Sequence, residues 1–274
     1  MRLIEAHAGK LLTLDSNTHA AGGVGRAFSS GVAELDAIAP GGGFARGAIH
    51  ELLTDPGEGK SLFFAMLLAA GAAMREGMEG GSQPALLPLC PSVPLSLSPS
   101  SASPPPHSTG IIIWCDPGAE LYPPALAAYG FPLDRLYLLR PRIPDPKGKN
   151  LIWAIAECLR CKGVSAVVAA PAGLSRIEAR RLQLAAEAGG GTGIFLRHPG
   201  RHGAHHASAT RWLIRPAPGE RTKQRWTIQL LHGHGGQVGH ILCLEHCRET
   251  NHLHPFDPVA DRQALPKRGV ARAS

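Results

Sequence analysis

The sequence predicts an α/β protein: a mostly parallel sheet with helices on its faces, lengthened by antiparallel strands on its C-terminal side. Three observations carry that prediction. Short apolar runs alternate with helix-length segments from residue 47 to residue 197, which is the pattern of βα units. The run Ile111–Cys115, IIIWC, is apolar at every position, as a strand covered on both faces must be. After Arg211 the pattern becomes strands without helices, RWLIRP, RWTIQLL and GHILCLE, which suits an antiparallel extension.

The elements follow in order. Residues 1–28 read as a short, partly helical N-terminal arm with a Gly-rich exit at Gly22, Gly23 and Gly25. Residues 29–247 make the main domain. Its first strand is Gly47–Leu53, followed by a Gly-containing turn and an apolar helix from Lys60 to about Met74. Residues 80–109 are dense in Pro and Ser, cannot sustain a helix or a central strand, and read as a disordered surface insertion. Order returns at Gly110 with IIIWC. A helix is expected over 121–130, a strand over 135–140, a helix over 151–161 and a strand over 164–170. Ser175 opens a helix to Ala188 through a Ser175-x-x-Glu178 capping box, and 192–197 is the next strand. From Arg248 to Ser274 the chain is a polar tail, expected to be partly disordered toward its basic end.

Composition narrows the function classes. Aromatics are only 5% against 44% hydrophobic residues, so the core must be built largely from Ala, Leu, Ile and Val. The formal charge is +7, from 28 Lys and Arg against 21 Asp and Glu, with 14 His in reserve. That balance favours contact with nucleic acid or another acidic surface, and it also serves solubility. The longest apolar stretch, Leu62–Met74, spans 13 residues, short of the roughly 20 needed to cross a bilayer. The N-terminus lacks the apolar core of a signal peptide. Six scattered cysteines then imply reduced thiols and a cytoplasmic location.

The sharpest local signal is TDPGEGKS, Thr54–Ser61, between the first strand and the first long helix. A phosphate loop wraps backbone N–H groups around phosphate oxygens, adds a Lys for charge and places a Ser or Thr hydroxyl on Mg²⁺. Gly59, Lys60 and Ser61 match that pattern and Gly57 adds flexibility, but the first glycine of the pattern is replaced by Thr54, a β-branched residue ill suited to positive φ. Two readings stand: a nucleotide site at Gly57, Gly59, Lys60 and Ser61, or a helix N-terminus with a chance GKS. No cofactor is required by either; the group such a loop takes is ATP with Mg²⁺. Hydrolysis also needs acids at neighbouring strand ends. AVVAAPAGL ends in Ala169, Ala170 and Pro171, and only Asp116 follows IIIWC. No catalytic residue is assigned, and the chain is read as a non-enzyme.

The segment 29–61, SSGVAELDAIAPGGGFARGAIHELLTDPGEGKS, resembles the start of the RecA ATPase core, and 115–141 resembles RecA's next strand–helix–strand. That likeness implies a RecA-like P-loop core. RecA's catalytic glutamate falls on Gly118, and its later Mg²⁺-coordinating aspartate falls on Ala169. The second half is more specific: ARRLQLAAEAGGGTGIFLR, SATRWLIRPAP and QRWTIQLLHGHGGQVGHILCLE resemble the blocks of ImuA proteins, RecA-like members of the bacterial damage-inducible mutagenesis cassette. The likeness covers roughly residues 28–250, interrupted by the insertion. It implies an accessory role in error-prone translesion synthesis within the SOS response. The partners it implies are an ImuB-like Y-family pseudo-polymerase, an error-prone replicative-type polymerase and RecA, with any DNA contact indirect. RecA's first DNA-binding loop is missing. The second corresponds to residues 197–206, where Arg197 and Arg201 are the candidates for DNA phosphates; the loop has no aromatic for base stacking and reads equally as a solvated loop.

Other constellations are weaker. Cys158-x-x-Cys161 with Cys243 and Cys247 invites zinc, but the first pair falls at a helix end rather than on a turn. His198, His202, His205, His206, His232, His234 and His240 lack a fixed helical pair and accompanying carboxylates. Arg180 and Arg181 follow the capping box and read as a solvated helix face or as a contact for an acidic partner. Two competing functions remain beside the accessory role: an active RecA-type ATPase using Lys60 and Ser61, and a stand-alone DNA-binding protein using the basic loop and tail.

Overall fold

A computed structural model describes residues 2–6, 27–56, 58, 61–74, 110–141, 145, 148–171, 173–199, 207–219, 223–248 and 252–257. The insertion over 80–109 lies outside the described residues. The order is β1 (Arg2–Ala6), β2 (Ala27–Phe28), α1 (Ala33–Ile38), β3 (Phe44–Ala45), β4 (Ile49–Leu53), α2 (Leu62–Ala73), β5 (Ile111–Cys115) and α3 (Pro123–Ala127). It continues with β6 (Leu136–Pro141), α4 (Lys149–Arg160), β7 (Val164–Ala169), α5 (Arg176–Gly189), β8 (Thr192–Arg197), β9 (Thr210–Ala217), β10 (Lys223–Gly233), β11 (Ile241–Cys247) and β12 (His252–Pro255).

Ten strands form one sheet in the order β1-β6-β5-β7-β8-β4-β9-β10-β11-β12. From β1 through β9 every neighbouring pair is parallel, and β9 to β12 are joined by antiparallel pairs. The fold is therefore α/β, with a large mostly parallel sheet and antiparallel strands added on the C-terminal side.

Alternation along the strands splits the core in two. One face, carrying Leu52, Ile112, Val168, Ile194, Trp212 and Leu230, is covered by α2 and by the segment around α1. Lying between the sheet and that segment, α2 is apolar around its whole circumference, LFFAMLLAAGAA, as a helix buried on all sides must be. Its Gly71 is required by the approach, since a Cβ there would meet the Ser29 carbonyl oxygen at 2.2 Å. The segment itself is held by Asp36, which accepts from the Ser30 amide at 2.9 Å, from Ser30 Oγ at 2.7 Å and from Ser29 Oγ at 2.5 Å. On the opposite face, Ile49, Ile113, Val167 and Phe195 pack under α4 and α5.

The capping box at Ser175 forms as expected. The Glu178 amide donates to Ser175 Oγ at 3.3 Å and the Ser175 amide donates to Glu178 Oε2 at 2.9 Å; α5 ends on Gly190 in the left-handed region, φ 78°. Three expectations change. Residues 2–6 of the arm are not helical: they pair with β6 as a parallel edge strand, a placement set by an open sheet edge rather than by local sequence. The helix expected over 121–130 contracts to Pro123–Ala127, because two prolines start it and Gly130 at φ 73° stops the chain soon after. Inside the polar tail, His252–Pro255 forms β12 and pairs with β11.

Candidate functional site

The loop after β4 sits at the C-terminal edge of the parallel strands, the edge where open α/β sheets bind their ligands. Its first residue is locked down. The Thr54 amide donates to the Arg197 carbonyl oxygen at 3.0 Å, and His198 Nδ1 lies 2.9 Å from the Thr54 carbonyl oxygen. Asp55 accepts from Arg215 Nε at 2.5 Å. Of the four residues assigned to a nucleotide, Gly57, Gly59 and Lys60 lie outside the described residues. Ser61 is the N-cap residue of α2, is 8% exposed, and makes no side-chain cap hydrogen bond. Its Oγ is buried and has no hydrogen-bond partner among the described residues. A buried hydroxyl without a partner is costly, and this one stands at a helix N-terminus, where unsatisfied amides favour an anion.

Behind the loop lies a charged cluster that sequence reasoning missed. Glu51, 2% exposed in the middle of β4, accepts from Arg197 Nη1 of β8 at 2.7 Å through one oxygen and from Arg211 Nε of β9 at 2.9 Å through the other. Three adjacent parallel strands are thereby tied by one carboxylate. The available signal was a carboxylate inside an apolar strand, GAIHELL. Arg197, the candidate for DNA phosphate, thus directs its guanidinium to Glu51; Arg201 lies outside the described residues, as do His202, His205 and His206. Next to Glu51, on the opposite face of the strand, His50 is fully buried with Nδ1 2.7 Å from Thr210 Oγ1 and Nε2 2.9 Å from the Ala45 carbonyl oxygen. Burial pushes its pKa down to about 4, with the backbone hydrogen bond acting in the opposite sense.

The acids expected for hydrolysis are placed as follows. Asp116, 6% exposed, accepts from the Glu120 and Leu121 amides at 2.9 and 3.3 Å and from Arg140 Nη2 at 2.8 Å. It closes the turn after β5 and pairs with β6. Ala169 belongs to the core under α4 and α5, on the face turned away from α2, and the following residue, Ala170, packs on the α2 side. Gly118 has an unforeseen neighbour. A Cβ added there would lie 3.1 Å from Glu120 Oε1, so the Glu120 carboxylate folds back into the space that a side chain at 118 would take.

The cysteine pairs are not brought together. Cys158 is buried on α4 and Cys161 caps that helix, whereas Cys243 and Cys247 lie on β11 near the other end of the sheet. Burial raises Cys158 to about 12, and Cys161 and Glu157 nearby add to the shift, which keeps the thiol protonated and unreactive. Among the described residues no group of three or more His, Cys, Asp and Glu side chains could hold a metal ion, and no helix is long and apolar enough to cross a membrane.

No model of a known protein family matches the chain. Two relatives do: Protein ImuA of Caulobacter vibrioides strain NA1000 / CB15N and Protein ImuA of strain ATCC 19089 / CIP 103742 / CB 15. Each is 29% identical over 254 residues, spanning 85% of this chain and 88% of the relative. The similarity extends over most of the length of both proteins, and it is to ImuA that this chain is similar.

Proposed function

We propose that this protein is an accessory factor of error-prone translesion DNA synthesis in the SOS response to DNA damage. It acts in the cytoplasm with an ImuB-like Y-family pseudo-polymerase and an error-prone replicative-type polymerase, with RecA as a further partner, and without hydrolysing ATP. The observation that carries this reading is the 29% identity to ImuA across 85% of the chain. The site supports it. Position 118 is glycine, the β7 end offers only Ala169 and Ala170, and Asp116 is engaged by two backbone amides and Arg140. The strand order, with β4 flanked by β8 and β9 and α2 crossing back over β8, β7 and β5, is in keeping with a RecA-like scaffold. A pull-down of the tagged protein from DNA-damaged cells tests the role. Recovery of an ImuB-like protein together with a polymerase is the expected result, and their absence removes the proposal.

Nucleotide binding with turnover is a second reading, favoured by two observations. Among the described residues the Ser61 hydroxyl at the N-terminus of α2 has no hydrogen-bond partner, and Glu120 supplies a carboxylate beside Gly118. Turnover of ATP that is lost in both Lys60→Ala and Glu120→Gln establishes it. No turnover and no ATP-dependent thermal shift eliminates it.

A further inference from the structure

The outward face of α5 carries an arrangement that helix stability does not require. Its inner positions Ala179, Leu182, Ala185 and Ala186 are buried. The opposite side exposes Arg176, Ile177, Arg180, Arg181 and Leu184. Ile177 is 80% exposed and Leu184 47% exposed. These two sit seven residues apart, so they stack on one side of the helix about 10 Å apart along its axis. A β-branched residue is a poor choice for an exposed helical turn, and Glu, Lys or Gln would serve the helix better there.

The charge on this face is one-sided. Glu178 is turned back into the cap with Ser175. Glu187 accepts from Gln183 at 3.0 Å and meets Arg180 only at 3.9 Å. Arg176 and Arg181 enter no ion pair among the described residues. Two aliphatic anchors are thus flanked by arginines with little local neutralisation. The helix also begins at the sheet edge where the loop after β4 lies, since both follow the C-terminal ends of parallel strands.

We propose that this face of α5 is a docking surface for an acidic amphipathic helix of a partner protein. The apolar side of that helix covers Ile177 and Leu184, and its flanking carboxylates meet Arg176, Arg180 and Arg181. Two anchors spaced by seven residues match the apolar repeat of a packed helix, and the arginines set both the sign of the partner and its register. The face has no aromatic ring on which a base would stack, which argues against a nucleic-acid strand as the occupant. The inference rests on the accessory role proposed above and names the surface through which that role is exercised.

The test titrates the purified full-length ImuB-like protein of the same cell against the full-length chain. Four forms are compared: wild type, Ile177→Asp with Leu184→Asp, Arg180→Glu with Arg181→Glu, and Arg135→Glu with Arg160→Glu, a control with the same change of net charge elsewhere on the surface. Because none of the substituted side chains belongs to either core, the thermal transition should stay close to that of wild type. The expected result is a loss of about 30-fold or more in affinity for the first two variants, the size of a binding hot spot, with the control within about threefold of wild type and binding weakened by salt. Equal binding by all four forms overturns the α5 proposal and leaves the accessory role standing. So does a loss confined to single-stranded DNA binding in the Arg180→Glu, Arg181→Glu form. Failure of the wild type to bind the ImuB-like protein overturns both.

Discussion

The parallel and antiparallel halves of the sheet solve the same problem differently. Strands β5, β7 and β8 have helices on both faces, α2 on one and α4 with α5 on the other. Strands β9 to β11 share only the first of these covers. On their other face, among the described residues, no side chain joins the core under α4 and α5. The consequence is chemical. The doubly covered strands read IIIWC and VSAVVA. The singly covered face carries Arg211, Arg215, Arg225, Thr227, Gln229 and Glu245, and its charges pair across strands. Glu245 takes Arg225 at 2.5 Å, Lys223 at 3.1 Å and His254 of β12 at 3.3 Å, while Arg225 also stacks over Phe256 at 4.6 Å. Burial opposes ionisation of Glu245, but the hydrogen bonds from Arg225 and Lys223 outweigh it and hold the carboxyl below its usual range. The difference teaches that the sheet's polarity follows from where its helices stop, and that Glu51 with Arg197 and Arg211 marks the seam between the halves.

The strongest way to break this contrast is to put the same carboxylate in each half. Val167, 0% exposed between the helix layers, should not tolerate Asp: the cost should be about 4 kcal/mol or more, seen as loss of soluble protein or of the cooperative urea transition. Thr227→Asp, on the face that α4 and α5 do not cover and opposite Arg215, should change stability by no more than about 1 kcal/mol. Equal costs would mean that this face is as closely covered in solution as the face under α4 and α5.

The seam comes next. Glu51→Ala leaves two largely buried guanidinium groups without their shared counter-ion and should cost about 3 kcal/mol in equilibrium denaturation. Adding Arg211→Ala should recover part of that loss, since the second change removes one uncompensated charge. A strictly additive double variant would show that the three charges act independently.

Acid should sharpen the seam from its other face. His50 is held neutral, with its pKa lowered to about 4 from 6.5, so the unfolded chain binds the proton more readily than the folded one. This contribution is fully present above pH 6.5 and is lost as pH falls from there to about 4, a change of about 3 kcal/mol. Urea denaturation of wild type and His50→Gln across that interval should differ in slope; parallel curves would exclude His50 as the source. The smallest expected effect concerns the helix that covers the parallel half. Ser175→Ala removes the α5 cap and should cost about 1 kcal/mol, read as a lowered thermal transition with binding through the outward face of α5 unchanged.

Much of the fold was readable along the chain because apolar period and turn chemistry are local. The β4–loop–α2 unit, the doubly buried β5 and β7, and the Ser175 cap all follow from residues within about two dozen positions of one another. The ends were not readable in this way. RLIEA has no strong strand pattern and becomes β1 because β6 offers it an unpaired edge. HLHP becomes β12 because β11 offers another and Glu245 draws in His254. The site divides along the same line. Thr54–Ser61 announced itself by composition and position, whereas Glu51, Arg197 and Arg211 are 146 and 160 residues apart in sequence and carry no motif. Nor did the sequence indicate that Glu120 would fold back against Gly118, since that depends on the turn after β5, in which the Glu120 amide donates to Asp116.

By itself, then, the sequence determined the βα alternation, the all-apolar helix after the first strand, and the absence of acids at positions 118 and 169, because each is a property of neighbouring residues and their periodicity. Only the tertiary structure decided which charges meet, which sheet face lies beyond the reach of α4 and α5, and that Ile177 and Leu184 remain exposed beside three arginines. Those outcomes depend on how far each helix reaches across a sheet whose strand order departs from the order of the chain, and that reach is a matter of packing rather than of local pattern.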